Sequence, residues 1–289
     1  MTSPIVIFDI LQSLALISLL IPFTTAALSK SVSRMKTWYN LLFFFIVYCI
    51  SYLLLIGHQF SKEEPPLALC TFQAGAIYAA PSGGAVAGFV FHIELYWRLS
   101  SALLGRRIRE RNVFWLLFLT PIIHGITFWS VIFYGLSDAT LIQRENGIYC
   151  HIESKLPSLF VGGTVITFVV LFTAVEIYTA HFLWKRRQAF HEVRQRLSQD
   201  IFPFSLFIRV IVYTLIGFIA VSITIPYLMP ENTAEHLVSM QALAIIPLSV
   251  ALLFGTQRDI LQVYVGVFQR KKDATDGDAL KPTNDQESR

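Results

Sequence analysis

Seven apolar blocks, each about as long as a bilayer is thick, dominate this 289-residue chain. About 20 helical residues cross a hydrocarbon core, and runs of that kind lie near 4–28, 38–58, 68–98, 113–134, 158–184, 204–228 and 237–256. In lipid every backbone N–H and C=O must find a partner within the protein, which leaves helices or closed barrels. Barrel strands would read as shorter alternating segments, so the expected fold class is all-α, a seven-transmembrane helix bundle. Only 15% of the residues are charged, against about 25% in soluble domains. The segments between blocks are short and polar. Residues 1–272 therefore read as one membrane domain, and residues 273–289, rich in Asp, Lys, Thr and Ser, as a disordered tail.

The basic residues orient the bundle. All of the 23 lysines and arginines except Lys62, Arg144 and Lys155 fall at one set of helix ends, after the first, third, fifth and seventh blocks. Positive charge stays cytoplasmic, so the N-terminus is expected outside and the C-terminus inside. The pI near 9.0 follows from that topology, and no nucleic-acid partner is needed to explain it. The first block is read as a span because no basic region precedes it and its apolar run is long for a signal core.

The three cysteines separate by depth. Cys49 lies inside the second block and reads as a small buried residue. Cys70 opens the third helix and Cys150 lies in the loop before the fifth, both on the outer, oxidising side. A Cys70–Cys150 disulfide is the economical reading, closing a loop of roughly 80 residues worth about 4 kcal/mol in the chain-entropy view. The alternative is two unrelated thiols.

Several chemistries are disfavoured. The last block has no lysine for a retinal Schiff base, the seven histidines are scattered, and no H-x-x-x-H, P-loop, dinucleotide-binding or G-x-S-x-G motif occurs. No enzyme activity, metal or cofactor is expected. The third block carries Pro81, Ser82, Gly83, Gly84 and Gly88 in "IYAAPSGGAVAG". That composition suits either a proline kink or close packing at the centre of a bundle.

The same helix continues into "AGFVFHIELYWRLSSALLGRRIRER", which sets Glu94 and Arg98 in an apolar run. Counting 1.5 Å per residue, Glu94, Arg98, Glu176 and Arg209 all fall in the inner third of the membrane. Buried charges there are costly and face protein. Glu94 and Arg98, acid first at i,i+4, suit each other, and a cross-helix pairing with Glu176 or Arg209 would make a switch. For the arginines the alternative is snorkelling to the headgroups. Beyond Gly255, Leu261, Tyr264 and Phe268 share one helical face before Arg270, Lys271 and Lys272, so a short amphipathic helix is expected at about 256–272 against the membrane lipids.

Seven helices, an outer N-terminus and paired cysteines at helix three and the second outer loop resemble a G-protein-coupled receptor. The stretches "LCTFQAGAIYAAP", "FLWKRRQAF" and "LLFGTQRDILQVY" resemble fungal seven-helix receptors, nearest the lipopeptide mating-pheromone receptors and related orphan receptors of mushroom-forming fungi. The resemblance departs at Phe254–Asp259, where the mating receptors carry more glycine, and in the short tail. It implies a plasma-membrane receptor for an extracellular agonist, a lipidated peptide among the candidates, coupled to a heterotrimeric G protein. Gln73, Tyr78, His124, Trp129 and Tyr134 would line the agonist site, although each also suits ordinary packing or an interfacial aromatic belt. Arg106, Arg107, Arg109, Arg111, Lys185, Arg186 and Arg187 would rim the G-protein crevice, although topology alone also demands basic residues there. The rival reading is a seven-helix transporter or a proton or cation channel using Glu94, Glu176 and His92.

Overall fold

The computed structural model describes residues 2–29, 32, 34–59, 61, 64–104, 110–145, 148–186, 204–224, 233–257 and 260–263. Seven α-helices appear among them: α1 (Thr2–Leu28), α2 (Lys36–Leu53), α3 (Leu67–Leu104), α4 (Glu110–Ser137), α5 (Lys155–Lys185), α6 (Phe204–Thr224) and α7 (Thr233–Gly255). Five of them, α1 to α5, are long and apolar enough to cross a membrane, and α6 and α7 contain shorter apolar stretches at Leu206–Ile219 and Leu243–Gly255.

The expectation of an all-α chain needs one correction. Strands β1 (Ile142–Glu145) and β2 (Tyr149–Ile152) form an antiparallel hairpin between α4 and α5, with Arg144 opposite Cys150. The disulfide joins Cys70 to Cys150 with Cα atoms 5.1 Å apart, tying this hairpin to the start of α3. At the hairpin's approach, Asp138 accepts hydrogen bonds from the Thr140 hydroxyl at 2.6 Å and its backbone N–H at 3.0 Å, which hold its carboxyl below the usual carboxylate range.

α3 is the central helix. Of its membrane-length window 83% is buried, against 17% for α5, so α3 meets protein on all sides while α5 shows most of its surface to the outside. Its small residues set how close the neighbours come. A Cβ on Gly88 would stand 2.7 Å from the Tyr213 hydroxyl of α6, and one on Gly83 would stand 2.8 Å from His124 Nδ1 of α4. The helix runs unbroken through Pro81, and close packing is what the glycine-rich stretch provides. In α7 Pro247 has no N–H to give the carbonyl four residues back. That carbonyl, of Leu243, accepts the Tyr48 hydroxyl of α2 at 3.2 Å.

Two ends of the bundle can be told apart. The hairpin, Phe8, Tyr52 and Ile77 cluster at one end. The start of α2 at Lys36, Arg98 of α3 and the end of α5 at Lys185 mark the other, basic end. Of the helix expected at about 256–272, Ile260–Val263 are helical, with Ile260 fully buried, while Thr256 and Gln257 are not helical; 258, 259, 264–272 and the tail from 273 lie outside the described residues.

Candidate functional site

A cavity of about 710 Å³ lies between α2, α3, α5, α6 and α7 beneath strand β2. Its rim is polar, formed by His151 and Glu153 with Ser154, Lys155 and Ser158 at the start of α5. Its walls include Tyr48 and Tyr52 of α2 and Ile77 and Tyr78 of α3. Its floor is Phe172 of α5 and Tyr213 of α6. Along α5 the lining runs from Lys155 to Phe172, roughly 25 Å at helical rise.

Below the floor, aromatic rings from four helices meet. Phe172 stacks on His92 of α3 at 5.0 Å between centroids, and Tyr213 lies 6.0 Å from Phe172 and 6.3 Å from Phe254 of α7. Phe91 of α3 closes the group edge-on to Phe254 at 5.5 Å. His92 is buried, and its Nδ1 lies 2.6 Å from the Gly88 carbonyl. A carbonyl only accepts, so the ring proton sits on Nδ1, and Nε2 has no hydrogen-bond partner among the described residues. Each aromatic contact contributes about 0.5–1.5 kcal/mol beyond its burial, so the helices are coupled through this layer.

Next to the aromatic layer lie three polar links, each joining a different pair of helices. Glu176 of α5 accepts the Thr214 hydroxyl of α6 at 2.6 Å. It is one turn beyond Phe172, and Thr214 follows Tyr213, so this link sits directly under the cavity floor.

Glu94 of α3 is wholly buried and reaches the start of α2, accepting the Thr37 hydroxyl at 2.7 Å and the Thr37 N–H at 3.3 Å. The N-cap residue Met35 offers α2 no side-chain cap; a carboxylate from the neighbouring helix serves instead, at the positive end of the helix dipole. Arg98 completes the group with its Nε 2.7 Å from Glu94.

Arg209 of α6 donates to the Leu253 carbonyl, to the Thr256 carbonyl at 3.0 Å and to the Thr256 hydroxyl at 2.9 Å. The two carbonyls are acceptors at the C-terminus of α7, where a cation is also favoured by the dipole.

The charges picked out by depth are therefore not one group. Glu94 and Arg98 pair as their spacing predicts. Among the described residues, however, neither Glu94 nor Glu176 meets Arg209, and the cross-helix partners are threonine hydroxyls and backbone groups instead.

Of the five residues expected around an agonist, Tyr78 alone lines the cavity, its hydroxyl bonded to the Ile152 carbonyl at 3.3 Å. Gln73 is buried and fastens the hairpin, donating to the Ser51 carbonyl at 3.2 Å and accepting the Cys150 N–H at 3.0 Å. His124 packs edge-on against Phe44, with Nδ1 3.1 Å from the Ala79 carbonyl. Trp129 is exposed on the outer face of α4 and stacks on Phe133. Tyr134 meets the Ser154 hydroxyl at 3.0 Å.

Lys185 closes α5 and Arg186 is its C-cap. Arg111 falls in the first turn of α4; its side chain, and Arg106, Arg107, Arg109 and Arg187 entirely, lie outside the described residues. The lining missed by sequence reading had a signal on α2: Phe45, Tyr48 and Tyr52, at i, i+3 and i+7, share one helical face, and all three line the cavity. No protein-family model matches the chain, and no curated protein matches it significantly.

Proposed function

We propose that the chain is a heterotrimeric G-protein-coupled receptor of the fungal type, with all seven helices spanning the plasma membrane, the N-terminus outside and the C-terminus in the cytoplasm. One observation carries the reading. The residues that floor the cavity, Phe172 and Tyr213, are one turn from Glu176 and next to Thr214, the pair that ties α5 to α6.

An agonist reaching the floor bears on both rings. It shifts the balance between a packing in which Glu176 holds Thr214 and one in which the pair is parted. Glu94 keeps α2 with α3 and Arg209 keeps α6 with α7, so the seam between α5 and α6 is the joint that opens. A difference of about 1–2 kcal/mol between the packings changes their ratio about 5- to 30-fold. The crevice formed at the basic end, rimmed by Arg106, Arg107, Arg109, Arg111 and Lys185–Arg187, takes a helix of the Gα subunit. A proton or cation carrier would want its acids along one path. Glu94 and Glu176 are held on separate helix pairs, which favours the receptor. The test is coupling to the G-protein pathway of a reporter yeast challenged with lipopeptides, nutrients and lipids. Activation by one class supports the reading, and silence with every class and every Gα chimera at confirmed surface expression refutes it.

A further inference from the structure

We propose that the cavity binds a single-chain anionic amphiphile, an acyl chain with a carboxylate or phosphate head, and that this ligand enters sideways from the bilayer between α5 and α6. The inference deepens the receptor reading of the same cavity and rests on that reading for its role as agonist; the binding itself follows from the chemistry of the lining.

The cavity is long, and its charged side chains, Glu153 and Lys155, gather at one end. Val161, Val165, Val169, Ile216, Val221 and Ile246 make the shaft apolar. Lys155 stands at the rim with Ser154 and Ser158, in the first turn of α5, where the helix dipole adds positive potential. Among the described residues Lys155 has no ion-pair partner. The acid at the same rim, Glu153, is engaged by the side-chain amide of Gln143. Glu153 keeps its negative charge, but it is not paired with Lys155 among the described residues, and Lys155 is the cation at the mouth that an anionic head can meet. An amphiphile lying in a leaflet already holds its head at the interface and its chain downward, so it matches this arrangement without turning over.

The route follows from what is shut and what is open. From the hairpin end, β2 lies across the cavity with Cys150 and Ile152 buried, fastened by the disulfide, by Gln73 and by the contact of Tyr134 with Ser154. On the flank, Leu159 and Ile166 of α5 line the cavity and are themselves 55% and 40% exposed, so no packed side chains close this wall over them. Across the seam, a Cβ on Gly217 of α6 would meet only Phe172, at 3.7 Å. A ligand dissolved in the lipid finds that flank without displacing the hairpin.

The experiment uses the full chain in nanodiscs and a fatty acid carrying a photoreactive group at its chain end. The expected result is saturable labelling of peptides bearing Phe172 or Tyr213, displaced by unlabelled oleate and not by oleylamine. Lys155→Gln weakens this binding about tenfold, the effect of losing one charge-assisted hydrogen bond. Gly217→Trp slows the labelling while surface expression and the melting temperature stay normal. Displacement by a single-chain phosphate lipid in preference to oleate identifies the phosphate head as the source. Labelling spread evenly over the outer faces of α4 and α5 overturns the proposal. So does equal displacement by the amine, indifference to Lys155→Gln, or displacement by a prenylated peptide alone. Saturable binding with no G-protein activation by any class of agonist would sink the receptor reading and leave this site standing. Activation by another agonist with no lipid binding would do the reverse.

Discussion

Thr214 donates its hydroxyl to Glu176 at 2.6 Å across the seam between α5 and α6. Both residues follow cavity-floor aromatics on their own helices, so the pair lies next to the floor on both sides of the seam. Glu176→Gln and Thr214→Val should each lower the melting temperature of the purified chain. The double variant should fall short of the sum by about 0.5–2 kcal/mol, the range of polar couplings between membrane helices. Strict additivity in that double-mutant cycle would mean the contact contributes nothing.

Glu94 and Arg209 make the contrasting case. Glu94 caps the start of α2 and Arg209 the end of α7, with no shared partner among the described contacts. Glu94→Ala should destabilise by about 1–3 kcal/mol, because a buried N–H and hydroxyl lose their acceptor, while Glu94→Gln should recover much of that loss. Combined with Arg209→Gln, either change should add to within about 0.5 kcal/mol. Marked non-additivity in thermal unfolding would restore the single charge group that depth alone had suggested.

The hairpin rests on the disulfide and on Gln73. Cys70→Ser and Cys150→Ser should each reduce surface expression, by up to about 4 kcal/mol of stability in the chain-entropy view, and the double change should cost no more than either alone. Gln73→Leu should add a smaller loss by leaving the Cys150 N–H unpaired. Mass mapping under non-reducing conditions that finds both thiols free would contradict this.

Gly88 leaves room for the Tyr213 hydroxyl. Gly88→Ala should overpack this contact at about 1–3 kcal/mol. Tyr213→Phe removes the atom nearest the added methyl and should restore part of the loss. A melting temperature that does not rise when Tyr213→Phe is added to Gly88→Ala would show that the crowding lies elsewhere.

How much of this could be read beforehand differs by element. The helices were legible because lipid demands long apolar runs, and the disulfide because two cysteines sat at one depth. The hairpin was also readable: Asn146-Gly147 is a strong turn signal before the segment Tyr149–Ile152, but its short strands were lost among longer apolar blocks. The cavity and the polar links were less accessible. Helical rise gives the depth of Glu94, Glu176 and Arg209 but not which way each helix is turned. Glu94 finds a backbone N–H at the start of α2 and Arg209 finds carbonyls at the end of α7, partners that no side-chain pattern announces. Aromatics in apolar blocks likewise divide into outward Trp129 and inward Tyr48 only once packing is known.

The most direct test of the receptor account is ligand-independent nucleotide exchange on a panel of purified Gα chimeras, driven by the full chain in nanodiscs. Glu176→Gln and Thr214→Val, which loosen the seam beneath the cavity, should raise exchange about 5- to 30-fold over the unaltered chain. Trp129→Leu, on the outer face of α4, should leave it unchanged. Exchange that stays at the level of empty nanodiscs for all of these proteins, with normal folding, would contradict the account.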